Sequence, residues 1–584
     1  MSEEKLPTPI SPELQMLLNN KESGYNYRER RQEDWLENYT LYRDKVSINR
    51  LTQRQSVNIP MMKKIIRTLL KDVDDMPVLY FENLNNDKQA EVFLNEYWKW
   101  TVDANNMELQ DIEDKKQVFL FGRSFDQWQV VDGMVKMTVQ DTQDILVSRY
   151  TDPTDLHSSR FLIHTHIFTP LSVIEANDDY DKKAVARLKK FYETEMGIVK
   201  ASDNQDMLVE KNKRMQAMGV DDVEDPVLGE TYVELTLHFV YRDDQKSEDG
   251  KPIDEQLFMY VEADDNEILM KKPLEEIIGV TEDNFWRNHF PYNSWADDLE
   301  RQDFWSDGIA DIVRTPNKVV NSWYSQLVEN RTLRNFGMHY WDGTAADDSF
   351  APQAFNPIPW GWYKVPGKPS DVIQKVDIPD LSESLDEMKF VIEMIENASG
   401  ATTTQQGAQT ARKVTLGEVE LALGEAKERI KGMSKFYTPA WKQRGRMFLK
   451  LVEAAGDRLD SVKVYKKGRI TNKIYTREIG PNDWMTEAGY REKVWSQDEK
   501  DANDTEVLQK LNATLPLFQG NMKLLEIYQR KLLEFGDLPP DEINDIMEVE
   551  EQNKELLQGQ GVGAQPIQGQ PQAQPVSSAQ PVQQ

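Results

Sequence analysis

Residues 303–331, DFWSDGIADIVRTPNKVVNSWYSQLVENR, place apolar side chains at Ile309, Ile312, Val313, Val320, Trp323, Leu327 and Val328. Steps of three and four residues put these on one face of a helix. Pro316 falls inside the run; it lacks a backbone donor and its ring crowds the preceding turn, so the reading predicts a bend over 314–317. Downstream, residues 332–380 hold Trp341, Trp360 and Trp362 together with Pro352, Pro357, Pro359, Pro366, Pro369, Pro379 and four glycines. Such punctuation excludes a long helix and favours short strands and turns. Helix resumes over 381–398 with Leu385, Met388, Val391, Ile392 and Ile395 on one side, and Ser399-Gly400 ends it. The order describes a hairpin of helices with a small knob at its tip.

After this hairpin, residues 400–410 form a loop rich in Thr, Gln and Gly. A long helix follows, marked by Leu416, Val419, Leu423, Ala426, Ile430, Met433 and Tyr437; Thr438-Pro439 predicts a kink or break before 441–455. Residues 462–479 are strand-like and basic, 508–518 and 522–535 are amphipathic helices, and 541–557 is expected as a third. From Gln558 only Gln, Pro, Gly, Ala, Val and a few others remain, too little apolar surface to offset ordering, so the tail is expected to be disordered.

Before the hairpin, helices are predicted over 12–44, 61–71, 87–102 and 107–121. The period then drops to two. Phe125, Trp128 and Val130, the Asp132-Gly133 turn, and Val135, Met137 and Val139 read as a tight β-hairpin. Strands follow over 145–147, 161–168, 231–241, 256–261 and 267–270, interrupted by a charged insert with helices at 171–176, 181–196 and 206–219. The fold class is α+β.

The chain has 584 residues, enough for several domains, and carries 100 acidic against 70 basic residues, a formal net charge of −30. An acidic balance argues against a broad phosphate-binding surface. Cysteine is absent, which removes disulfides and thiolate zinc sites. No basic region followed by an apolar run opens the sequence and no apolar stretch of about 18 residues occurs, so the expectation is a chain neither secreted nor membrane-spanning.

Catalytic motifs are few. Asp243-Asp244, Asp264-Asp265 and Asp347-Asp348 read as loop solvation rather than metal ligands. His164 and His166 share one face of a predicted strand, but with no acidic third ligand in view they read as ordinary strand positions. GWYKVPGKP at 361–369 fails as a phosphate loop: Pro366 holds the second glycine position and Pro369 has no hydroxyl for magnesium. Basic clusters at Arg28, Arg30, Arg31, at Lys63, Lys64, Arg67, Lys71, and at Lys442, Arg444, Arg446, Lys450 leave solvated faces, salt bridges and phosphate contact all open. The chain is not expected to be an enzyme and no metal or cofactor is implied.

Taken along nearly the whole chain, this order resembles the portal proteins of tailed bacteriophages. GRSFDQWQVVDGMVKMTV (122–139) leading to YTDPTDLHSSRFLIHTHI (150–167) is similar to the wing of that family, and FPYNSWADDLERQDFWSDGIADIVRTPNKVVNSWYSQL (290–327) to its passage from wing into stem. The resemblance implies a wing over 1–300, stem helices over 301–331 and 381–398, and a clip over 332–380. It further implies a tunnel loop over 399–413, a long wing helix and basic strand-like segment over 414–504, a helical crown over 505–557 and a disordered tail over 558–584.

The family forms rings, usually of twelve subunits, at one capsid vertex, and passes double-stranded DNA through the axis. The implied setting is the virion, with assembly in the host cytoplasm. Partners implied are further copies of the chain, the terminase large subunit, head–tail connectors, and major capsid and scaffold proteins, with no membrane. Gly400, Thr402, Thr403, Thr404, Gln405 and Gln406 are then expected to face the channel, with Arg412 and Lys413 at its edge making weak phosphate contact. Trp341, Trp360 and Trp362 are expected to pack within or between clips. The competing expectations are a magnesium-dependent nuclease and a helical adaptor that forms no channel.

Overall fold

The computed structural model describes residues 11–44, 59–73, 76–85, 87–195, 232–243, 255–336, 339–341, 373–375, 384–399, 416–467, 473–486, 489–495, 505–510, 512–513, 522–535 and 542–549. They build a mixed fold of helices and antiparallel sheets. The chain divides into two compact units: Met1–Asp460 with Gly480–Gln497, and Ser461–Ile479 with Asp498–Gln584.

In the first unit, helices α1 (Pro12–Arg43), α2 (Met61–Asp72), α3 (Lys88–Ala104) and α4 (Met107–Phe121) precede most of the sheet. Strand β1 (Val78–Asn83) lies between α2 and α3. Ser11 caps α1 by accepting from the Leu14 amide, and Pro12 occupies its first turn, where a missing N–H costs nothing. Strands β2 (Arg123–Val131) and β3 (Met134–Gln140) form the expected hairpin, with Asp132 and Gly133 both left-handed at its turn.

Strands β4 (Ile145–Val147), β5 (Phe161–Pro170), β6 (Tyr232–Arg242), β7 (Gln256–Ala263) and β8 (Glu267–Pro273) make a five-stranded antiparallel sheet in sequence order. Helices α5 (Leu171–Ala176) and α6 (Lys182–Glu195) cover part of it with Ile174, Ala184, Val185 and Leu188. Leu17 of α1 covers another part with Leu146, Phe161, Ile163 and Val240. The predicted helix at 206–219 lies outside the described residues.

After the short α7 (Leu274–Ile278), strand β9 (Tyr292–Ala296) joins the β2 edge, giving the order β3-β2-β9. Helix α8 (Ile309–Phe336) then packs on α1, α2 and α4, and β10 (His339–Trp341) follows it. Strand β11 (Ile373–Lys375) pairs antiparallel with β10, Trp341 standing opposite Ile373, and leads into α9 (Ser384–Ser399), which packs beside α8. The helical hairpin and the strands beyond it therefore exist as the sequence predicts.

Three details depart from the sequence reading. Helix α8 begins at Ile309, six residues after the predicted start, because Phe304 and Trp305 turn inward instead. Trp305 packs 5.2 Å from Trp35, which in turn meets Phe121. Ile312, placed on one face with Val313, is exposed while Val313 is buried. Helix α10 (Leu416–Ala455) continues through Pro439 without a break, where a kink or a break was expected. An interior proline costs about 3 kcal/mol, and the burial of Tyr437, Ala440 and Trp441 around it holds the helix together.

Helix α10 packs across β2, β9 and β14 (Tyr490–Trp495), and β14 pairs with β1. Short α11 (Pro481–Trp484) stacks Trp484 on Tyr97 of α3 at 4.5 Å. The second unit contains β12 (Val462–Lys467) paired with β13 (Ile474–Ile479), α12 (Met522–Phe535), and helical residues 505–510 and 542–549. No described helix is long and apolar enough to cross a membrane.

Candidate functional site

At the base of the helical hairpin, side chains of the first two basic clusters meet their partners. Asp311, in the first turn of α8, receives four donors: the Gly308 amide (2.9 Å), Arg31 (2.9 Å), Asn38 (3.0 Å) and Arg314 (3.0 Å). A carboxylate at a helix N-terminus is favoured by the orphan amides and the helix dipole. Arg31 also binds Asp307 at 2.6 Å and the Ser306 carbonyl at 3.1 Å, while Arg30 pairs with Asp303. Arg314 answers from α8 to Asp34 at 2.9 Å, and Lys318 to Glu37.

These bonds reassign the first basic cluster. Arg28 is buried and donates to the Gln143 carbonyl; Arg30 and Arg31 grip the chain that launches α8. In the second cluster Lys64 reaches Glu396 of α9 at 3.2 Å, and the Ile59 amide just before α2 donates to Asn321 of α8 at 2.8 Å. Helices α1 and α2 thereby hold both arms of the hairpin through side chains whose composition alone permitted phosphate contact.

In the third cluster Lys442 and Arg446 are exposed and Arg444 is buried. Arg444 of α10 lies fully inside, donating to Asp114 of α4 at 2.7 Å and to Asp126 of β2 at 2.8 Å. Trp295 donates to Asp114 and Trp128 to Asp126, each at 2.6 Å. Beside them Lys115 binds Asp111 at 2.6 Å. Burial pushes the Asp111 carboxyl up to about 6, against the opposing pull of Lys115 and Arg444. Lys450 pairs with Asp283 at 3.1 Å and Glu453 at 2.7 Å. This cluster fastens α10 to α4 and β2.

Two further readings need correction. Asp264-Asp265 does more than solvate a turn: Asp264 accepts from Tyr192, and Asp265 binds the buried Lys21 at 2.7 Å. Asp244, Asp347 and Asp348 lie outside the described residues. A bulge between His164 and Ile167 separates the two strand histidines, His166 taking a left-handed φ of 61°. His166 does have acidic neighbours, Asp144 at 2.9 Å and Glu234 at 3.9 Å, whereas His164 meets the Tyr292 hydroxyl at 2.9 Å. No group of three His, Asp or Glu among the described residues is arranged to hold a metal ion.

His164 gives a pH test of this core. Burial pushes its imidazole down to about 4, Asp144 opposing and His166 assisting. The unfolded chain gains the proton near 6.5 and the folded chain only near 4, so the stability His164 contributes is present above 6.5 and is lost as pH falls. Between pH 7.5 and 5 the wild type should lose about 2 kcal/mol more than His164→Gln. Denaturant titrations at both pH values measure the difference, and parallel pH profiles would refute it. Asp111 acts with the opposite sign, its contribution falling as pH rises from about 4 through about 6, so the comparison of variants rather than the raw profile isolates His164.

The residues expected to line a channel, Gly400, Thr402, Thr403, Thr404, Gln405, Gln406, Arg412 and Lys413, lie outside the described residues, between the end of α9 and the start of α10. Trp360 and Trp362 also lie outside them; Trp341 ends β10. Sequence reasoning missed the face of α9 that carries Phe390 and Met394, one turn apart and 63% and 55% exposed. Their i, i+4 spacing is the signal that finds them. The chain matches no family model, and no curated protein matches it in sequence.

Proposed function

We propose that this chain is the subunit of a portal: a ring at one capsid vertex that conducts double-stranded DNA during packaging and ejection, and on which terminase and head–tail connectors dock. The observation that carries the reading is the excursion α8–β10–β11–α9, rooted on α1 and α2 and followed by an uncharged polar segment and a 40-residue helix. Residues 401–410, ATTTQQGAQT, offer hydroxyls and amides but no charge. A lining of that kind contacts DNA without the counterion release that makes phosphate binding tight, so a moving duplex is not arrested. Arg412 and Lys413 would add brief phosphate contact at its edge.

Ring closure needs surfaces that meet a different surface on the next copy. The exposed Phe390 and Met394 on α9 supply apolar area for such a contact. Trp341, Trp360 and Trp362 belong to the segment proposed to meet terminase and connectors. Mass determination in solution combined with electron imaging of the purified chain tests the proposal. Closed rings with an axial hole are expected. A uniform monomer or dimer persisting at high protein concentration would overturn it, and magnesium-dependent cleavage of DNA by that species would favour the nuclease.

A further inference from the structure

Of the second basic cluster, only Lys64 meets a carboxylate among the described residues, Glu396 of α9. Lys63, Arg67 and Lys71 meet none there. A spacing of four residues strings these three along one face of α2, and at 1.5 Å per residue the row spans about 12 Å. The apolar side chains Met61, Met62, Ile65, Ile66 and Leu69 are buried on the other side of the helix. Among the described side chains of α2 the exposed ones are Lys64, Arg67 and Lys71, every one a cation.

That face selects its occupant by what it holds and by what it lacks. A protein partner is held chiefly by an apolar core inside a polar rim, and no exposed apolar side chain stands among the described residues of α2. Phosphate binding needs only cations that displace counterions, and a duplex carries one negative charge per about 1.7 Å of axis, so a row of this length meets several phosphates. We infer that the outward face of α2, through Lys63, Arg67 and Lys71, binds the phosphate backbone of a nucleic-acid duplex. Contacts to phosphate alone carry no sequence information, so binding is independent of base sequence. In a chain of net charge −30, three cations make a local, salt-sensitive contact rather than a broad adhesive surface. The inference requires neither ring formation nor the 400–415 loop.

The test is fluorescence anisotropy of the full chain with a labelled random-sequence duplex across a salt series. Arg67→Gln with Lys71→Gln should weaken binding and flatten the log–log salt slope by about 1.8, two phosphate contacts at about 0.9 each. Lys183→Gln with Lys190→Gln removes the same charge from exposed positions of α6 and should leave the slope unchanged. Should the α2 pair perturb the fold by circular dichroism, Lys63→Gln with Lys71→Gln serves in its place, with the same flattening expected. No binding by the wild type, or an unchanged affinity and slope in the α2 variants, would overturn the inference. Equal flattening by the α6 pair would overturn it too, by showing that overall charge and not this face sets the slope. So would loss of binding confined to Arg412→Ala with Lys413→Ala, which would place the contact in the loop. Equal competition by polyglutamate would overturn the nucleic-acid assignment in favour of an acidic protein surface.

Discussion

Arg444→Met should destabilise the protein by about 3–5 kcal/mol at pH 7, the cost of leaving a buried ion without its partner. The guanidinium is fully buried and joins Asp114 and Asp126, carboxylates from two separate elements. Asp114 keeps the Trp295 N–H, and Asp126 keeps the Trp128 N–H and the Asn293 amide at 3.5 Å, but these neutral donors do not offset a buried negative charge. Burial already raises the Asp126 carboxyl above the ordinary range, with Arg444 opposing. Without the arginine it should rise further and take a proton more readily.

A pH signature follows: the deficit of Arg444→Met relative to wild type should shrink as pH falls from 7 towards 5. Adding Asp126→Asn should recover part of the loss by removing one uncompensated charge. Denaturant titrations of the two variants at both pH values provide the measurement. A loss below about 1 kcal/mol, the scale of an exposed ion pair, would show that the network does not fasten α10 to the body.

Gly122→Ala should cost at least about 3 kcal/mol, from two separable causes. Gly122 ends α4 with φ of 82°, its amide donating to the Val118 carbonyl, a conformation that an L side chain occupies only under strain. An added Cβ would also overlap the Ser306 carbonyl oxygen and lie 2.9 Å from the Asp307 carbonyl carbon. Gly489→Ala separates the causes, because its φ is 72° yet, among the described residues beyond its chain neighbours, no atom lies within 4 Å of the added carbon. The Gly489 variant should show only the conformational cost, on the order of 1–2 kcal/mol. Equal losses at both sites would refute the overlap.

Gly122 matters because the chain it touches launches α8. Arg123, next to it, donates to the Phe304 carbonyl at 2.9 Å and the Pro153 carbonyl at 2.9 Å, with its guanidinium 3.9 Å from the Phe304 ring centroid. Gly-Arg-Ser at 122–124 thus pins residues 304–307 against α4 and β2. The same loop presents Ser306 and Asp307 to Arg31 of α1. Disturbing Gly122 should therefore loosen the root of the helical hairpin along with the C-terminus of α4.

By itself the sequence determined the elements whose cause is local. Pro60 marked the entry of α2 at Met61, Asp132-Gly133 supplied the turn of β2–β3, and the three-and-four spacing over 309–328 marked α8, which runs five residues beyond its predicted end at 331. Only the tertiary structure decided the fate of the charges. Arg28, Arg31, Lys64 and Arg444 read alike as basic clusters, and their carboxylate or carbonyl partners lie on other elements, 115 residues away for Arg28 and 332 for Lys64. The pairing of β1 with β14 was hidden for the same reason, its strands standing at opposite ends of the first unit. Helical periodicity and turn chemistry are written within a few adjacent residues; the burial of a charge depends on which distant segment folds beside it.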